Sequence, residues 1–238
     1  MIRRSWENNY MTILKKSLNF LISVSVPIII SVLSILILLS PLFMKLEYRR
    51  PTFPEDKYGF STEERLLFGD QTRRYLITGM SLDELRELKF ADGDQIYTQR
   101  ELTHLEDVKV VLQGVLRVFA GAAFIYSLGG VIASRKEWRE DFLAATFLGG
   151  KITTGLLIII LVLTLISFQS LFTNFHLVFF EGDSWLFYYS DTLIRLFPIR
   201  FWQDIFLFFG LATLAGGILV GWALPYWILR SQKLKKIT

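Results

Sequence analysis

The chain has 238 residues, 52% of them hydrophobic, with a formal charge of +4 and no cysteine. A mean hydropathy of +0.41 is too high for an ordinary soluble domain. The absence of thiols excludes disulfides, a thiolate metal site and acyl transfer through sulfur.

Residues 1–17 form a basic N-terminus with Arg3, Arg4, Lys15 and Lys16. The apolar run 18–39 reaches the roughly 20 residues that a helix needs to cross a bilayer, and predicts a transmembrane helix over 18–40. It outruns a signal-peptide core, and no small-x-small cleavage site follows, so it reads as a retained anchor. Pro27 is expected to kink it.

Residues 41–109 are too long for a simple connector. Arg50-Pro51-Thr52-Phe53-Pro54 is held extended by its prolines. Ser61 with Glu64, and Ser81 with Glu84, have the spacing of capping boxes and predict two short helices. The second would present Leu82, Leu85 and Leu88 on one stripe, and Asp92-Gly93-Asp94 marks a turn. These pieces predict a small, mainly helical cap over the outer face. A further box, Thr103 with Glu106, predicts the start of a long helix with Thr103 as N-cap and His104 as first helical residue. The helix dipole there favours a neutral imidazole. This helix enters a second span over 110–133, its apolar pattern running back from 118–133 through Val115, Leu112 and Val108.

A basic loop over 134–151 holds Arg135, Lys136 and Arg139. A third span is expected over 152–172, an aromatic loop over 173–204, a fourth span over 205–229 and a basic tail over 230–238 with Arg230, Lys233, Lys235 and Lys236. With four crossings all basic clusters fall on one side, which the positive-inside rule makes cytoplasmic. Both termini are then inside, and the two acidic loops face outward. The expected fold class is therefore an all-α integral membrane protein, with four transmembrane helices and an extracellular, mainly helical cap formed by the first external loop. The pI near 9.2 reports topology, not nucleic-acid binding. Gly217 and Gly221 form a GxxxG, read as close helix packing within the bundle; a monomer is expected.

The chain has two histidines, and this topology brings both to the outer surface. His104 lies in Arg100-Glu101-Leu102-Thr103-His104-Leu105-Glu106-Asp107-Val108-Lys109. His176 lies in Phe175-His176-Leu177-Val178-Phe179-Phe180-Glu181-Gly182-Asp183-Ser184-Trp185. A lone interfacial histidine usually does no more than bond water and headgroups. Two at one face, each flanked by carboxylates, point to proton transfer. Asp107, one helical turn on, is expected to orient His104, and Asp183 to orient His176. Glu106, Asp191 and Arg195 are further supporting candidates. Phe175, Phe179, Phe180 and Trp185 are expected to line an apolar pocket for a lipid, beyond what an interfacial aromatic belt explains. Arg117, about three turns into the second span, either binds a substrate oxygen or snorkels. Zinc held by both histidines with Glu106, Asp107, Glu181 or Asp183 is disfavoured, because no HExxH and no paired-histidine helix spacing occurs. No metal or other cofactor is expected. Ser127 sits in no GxSxG and beyond reach of a histidine.

These two histidine motifs, with Asp191-Thr192-Leu193-Ile194-Arg195-Leu196-Phe197-Pro198, resemble the lipoprotein intramolecular transacylases of low-GC Gram-positive bacteria. The resemblance covers nearly the whole chain. It implies a plasma-membrane enzyme whose partner is a diacylated lipoprotein. Such enzymes move the sn-2 acyl chain of the diacylglyceryl group to the α-amino group of the lipidated N-terminal cysteine, giving the lyso form. It also implies that His104 and His176 are the catalytic residues. The substrate amine is then the nucleophile, so no serine or cysteine is needed. A non-catalytic protein binding lipids or lipoproteins is the main alternative, and a metal-dependent membrane hydrolase the weaker one.

Overall fold

The computed structural model describes residues 2–90 and 92–234. Lys235 and Lys236 lie outside the described residues, as do the side chains of Arg3, Arg4, Lys136 and Lys233. The helices run in chain order α1 (Ile2–Leu38), α2 (Pro41–Tyr48), α3 (Thr62–Ile77), α4 (Leu82–Arg86), α5 (Gln99–Ala133), α6 (Lys136–Ile166), α7 (Phe168–Phe179), α8 (Thr192–Leu196) and α9 (Ile199–Ile218). A π-turn, Leu219–Ala223, then leads into α10 (Leu224–Leu234). No strand occurs among the described residues, only an isolated bridge between Lys89 and Gln95. Four helical stretches are long and apolar enough to cross a membrane: Met11–Leu38, Gln99–Ala133, Glu137–Ile166 and Ile199–Ile228.

The helices overrun the apolar stretches. The expected loop 134–151 is helical from Lys136. The helix of the third span ends at Ile166, where Ser167 turns extended and caps α7 by accepting from the Ser170 amide at 3.2 Å. Hydropathy marks where a chain is apolar, whereas a helix continues through polar residues until a cap or breaker stops it. The start of α5 also differs from the expected Thr103. Thr98 and Glu101 form the reciprocal cap, with the Glu101 carboxylate accepting the Thr98 amide at 2.8 Å and the Thr98 hydroxyl accepting the Glu101 amide at 3.3 Å. Thr103 instead bonds back to the Gln99 carbonyl inside the helix. His104 therefore lies in the second turn, where the N-terminal dipole acts weakly.

The chain divides into two compact units. One comprises the described parts of Met1–Ser34 and Phe209–Thr238 with Leu116–Leu161. Small residues set its packing. A Cβ on Gly150 would lie 2.8 Å from the Gly221 Cα, and one on Gly217 would lie 2.7 Å from the Thr154 hydroxyl. The GxxxG pair thus seats α9 and the π-turn on α6 of the same chain, the contact that glycine permits between helices in lipid. Ser23 of α1 donates to the Ala145 carbonyl of α6 at 3.0 Å. Pro225 has no N–H for the carbonyl of Gly221 four residues back, which accounts for the wide turn there.

The other unit comprises Ile35–Val115 and Val162–Phe208. Its first segment is mainly helical. Ser40 caps α2 with Pro41 in the first turn, and both expected capping boxes form, Ser61 with Glu64 and Ser81 with Glu84. Gly93 takes the left-handed φ of +96° that the Asp92-Gly93-Asp94 turn requires. Helix α4 is short, yet Leu85 has no exposed surface and Leu82 and Leu88 pack beside it. The core gathers Phe68 and Tyr75 of α3, Ile96, Tyr97, Leu102 and Leu105 at the start of α5, and Leu193 and Leu196 of α8. Arg195 and Asp56 pair at 3.0 Å across 139 residues. Arg50 bridges the buried carboxylates Glu47, at 3.0 Å, and Asp204, at 3.1 Å, tying α2 to α9.

Candidate active site

His104 is carried by the second turn of α5, whose start is fastened from several directions. Glu101, with no exposed surface, accepts the Leu193 amide at 2.7 Å as well as the Thr98 amide. Thr192 donates to the Ile96 carbonyl at 2.5 Å. These bonds fix α5 against α8, and one helical turn beyond Glu101 they fix His104. His176 is carried by α7, which Ser167 starts and whose register aims the imidazole Nδ1 at the Phe172 carbonyl, 2.8 Å away.

The two rings face each other, 6.2 Å apart between centroids and 19° from parallel. Both residues are buried, His104 8% and His176 9% exposed. Aromatic rings enclose the pair. Phe180 lies 4.9 Å from His104 and 5.5 Å from His176, Phe187 lies 5.3 Å from His104, and Trp185 lies 4.9 Å from His176. Phe172 and Phe175 complete the wall on α7 at 4.2 and 5.5 Å from His176. Gly182, at φ +63°, turns the chain after Phe180. Arg100 then holds the loop to α5, its guanidinium bonding the Asp183 carbonyl at 3.1 Å and covering the Phe187 ring at 5.6 Å.

A carbonyl oxygen only accepts, so His176 Nδ1 carries the proton of the neutral ring and Nε2 keeps its lone pair. Burial pushes this imidazole below its ordinary pKa, the Phe172 carbonyl offsetting part of the shift. His176 thus favours the neutral form, with Nδ1 protonated, among aromatic rings. The Nδ1 of His104 is buried and has no hydrogen-bond partner among the described residues, and the same holds for the Nε1 of Trp185.

The structure separates the other expected residues. Phe180 and Trp185 touch the histidine pair, and Phe175 touches His176 with Phe179 tilted against it at 4.8 Å. The expected carboxylate orientation of His176 by Asp183 is not found at Nδ1, which the Phe172 carbonyl occupies. Asp183 is exposed and enters only through its backbone carbonyl. Glu106 is exposed and Asp107 half-buried, and neither bonds Nδ1 of His104. Arg195 is taken by Asp56 and lies over the Phe60 ring at 3.7 Å. Burial pushes the Asp56 carboxyl up, but Arg195 and the Phe60 amide outweigh it and hold the group below its ordinary value. Asp191 accepts the Tyr188 amide at 2.8 Å, shaping the loop. Arg117 belongs to the other unit, where it is exposed. Among the described residues no three His, Asp or Glu side chains converge as metal ligands. Sequence reasoning missed Phe172, Glu101 and Arg100. The four-residue helical step from His176 back to Phe172 was the available signal for the first.

A family model described as lipoprotein intramolecular transacylase Lit matches residues 20–202. An uncharacterized protein of Aquifex aeolicus is 33% identical over 210 residues, covering 87% of this chain and 93% of its own. A solved structure of the membrane integral lipoprotein intramolecular transacylase Lit from Bacillus cereus matches with a TM-score of 0.76 and 20% identity, over 93% of this chain and 98% of that one. A variant of that protein with a histidine changed to arginine matches at 0.71 with 21% identity, over 97% and 99%.

Proposed function

The chain belongs to the lipoprotein intramolecular transacylase family, and from that premise we propose that it moves the sn-2 acyl chain of a diacylglyceryl lipoprotein to the α-amino group of that lipoprotein's N-terminal cysteine. The observation that carries this reading is the pair of buried, facing histidines in an aromatic box. The substrate supplies both nucleophile and ester. The protein must therefore move a proton, steady an oxyanion and hold two groups of one molecule together.

His176 is the base. Its Nε2 lone pair takes a proton from the attacking amine, an ordinary α-amine having a pKa near 8. Phe172 fixes the tautomer that leaves Nε2 free. The proton His176 has taken is then handed to the departing glycerol oxygen, with His104 on the facing side relaying it, so that both rings end in the state in which they began. The nitrogen–carbon bond forms, the carbon–oxygen ester bond breaks, and one proton moves from nitrogen to oxygen, so neither water nor a cofactor enters the balance. The walls of Phe172, Phe175, Phe180, Phe187 and Trp185 keep water from the ester and receive the acyl chain.

The same reading places the protein in a bacterial plasma membrane, with both termini cytoplasmic, the histidine pair at the extracellular side and the first external loop, 41–109, as the cap. One chain holds all the chemistry, so a monomer suffices. The test is mass spectrometry of the N-terminal peptide of a diacylated reporter lipoprotein co-expressed with wild type, His104→Ala or His176→Ala. Wild type should give N-acyl, lyso-glyceryl peptide, and neither variant should. A free amine with both ester chains retained, despite good wild-type expression, overturns the reading in favour of a lipid or lipoprotein binder.

A further inference from the structure

Trp185 differs from the other rings around the histidine pair in carrying a polar atom. An indole N–H only donates, and a buried one normally finds an acceptor. The Trp185 N–H is buried and has no acceptor among the described residues, although the turn that presents the ring is well tied. Gly182 sets the turn, the Leu186 amide bonds the Asp183 carbonyl at 2.9 Å, and Arg100 bonds that same carbonyl at 3.1 Å. The ring is held 4.9 Å from His176 and tilted 34° to it. A buried donor fixed on a braced loop beside His176 needs little reorganisation when negative charge develops near it.

We infer that the Trp185 indole N–H is the oxyanion donor of the reaction and a catalytic residue in its own right. This inference rests on the acyl-transfer reading above. When the amine nitrogen bonds the ester carbon, the carbonyl electron pair moves onto oxygen, and Trp185 donates to that oxygen. Collapse returns the pair to a carbonyl and expels the glycerol oxygen, which takes the proton released by the amine. The indole keeps its own proton throughout. Its hydrogen bond is stronger to the oxyanion than to the ester, so it acts on the rate of the chemical step and hardly on binding.

The test uses the full-length enzyme in lipid with a diacylated lipopeptide, comparing wild type, Trp185→Phe and a variant with 3-benzothienylalanine at position 185. The last keeps the bicyclic shape but replaces N–H with sulfur. Loss of one oxyanion donor should lower kcat about 10²–10³-fold with KM unchanged in both variants. Wild-type kcat in the benzothienyl variant, a rise in KM alone, or failure of that isosteric variant to fold would each overturn the inference, the last because the N–H would then be structural. If wild type itself forms no N-acyl product, the acyl-transfer reading fails as well. If wild type acts and the benzothienyl variant matches it, only the role of Trp185 fails.

Discussion

Replacing Glu101 tests whether the fold really braces the histidine pair. Its carboxylate has no exposed surface and accepts the Leu193 amide at 2.7 Å, the Thr98 amide at 2.8 Å and the Thr98 hydroxyl at 2.9 Å. Glu101→Ala removes the reciprocal cap of α5, worth about 1 kcal/mol. It also leaves the buried Leu193 amide unpaired, at about 1–3 kcal/mol. The sum is about 2–4 kcal/mol, or a fall in Tm of roughly 4–16 °C for a chain this long. Glu101→Gln keeps one acceptor for Leu193 but turns a donor toward Thr98, so its loss should be intermediate. The assay is thermal unfolding in detergent micelles, followed by circular dichroism, with the exposed Glu106→Ala as control, which should stay within about 0.5 kcal/mol of wild type. Activity should fall along with stability in the Glu101 variants, because His104 sits one helical turn away. A Glu101→Ala protein as stable as the Glu106→Ala control would refute the argument that this carboxylate joins α5 to α8.

Breaking the ion pair of Asp56 and Arg195, whose side chains are 3% and 13% exposed, should destabilise the protein by about 3–5 kcal/mol in Asp56→Asn, read from chemical unfolding. The Asp56 carboxyl is held low when folded. Its contribution is therefore complete above the ordinary carboxylate pKa of about 3.9 and is lost as pH falls through the lower folded value. A wild-type stability loss already present at pH 5, and absent from Asp56→Asn, would contradict this. His176 is likewise held below the ordinary imidazole pKa of about 6.5, so the neutral base persists to lower pH. The substrate amine sets its own acid limb of kcat near pH 8, so the imidazole is followed directly by NMR: it should titrate below pH 6.5, and a titration above that value would remove His176 as a neutral base. Gly150→Ala puts a methyl 2.8 Å from the Gly221 Cα. It should cost about 1–3 kcal/mol by overpacking α6 against the π-turn, measured as reduced thermal stability, whereas Gly155→Ala, where a Cβ meets nothing within 4 Å, should be neutral.

What the sequence made legible was local. Apolar runs announced four long helices, and the boxes at Ser61 and Ser81 announced α3 and α4, because a cap is a contact between neighbours three residues apart. Counting histidines singled out the pair that the structure brings face to face. The misreadings came from long-range competition. Thr98 and Thr103 both stand three residues before a glutamate; the choice fell to Thr98 because Glu101 also captures Leu193, 92 residues away. Arg195 stood among the supporting candidates, yet Asp56, 139 residues back, takes it. Carboxylates beside each histidine suggested orienting acids, yet the backbone carbonyl of Phe172 does that work for His176. A backbone acceptor leaves no residue-type signature.

The most direct measurement uses purified protein in lipid and a lipopeptide isotopically labelled in its sn-2 acyl chain, mixed with an equal amount of a second, unlabelled lipopeptide of different sequence. Mass spectrometry of the products follows the label in water enriched in oxygen-18. The account predicts that every labelled acyl group reappears as an amide on the amine of the lipopeptide that carried it, with no crossover, no oxygen-18 and no free fatty acid. Label on the second lipopeptide, or fatty acid bearing oxygen-18, would contradict intramolecular acyl transfer between the two histidines.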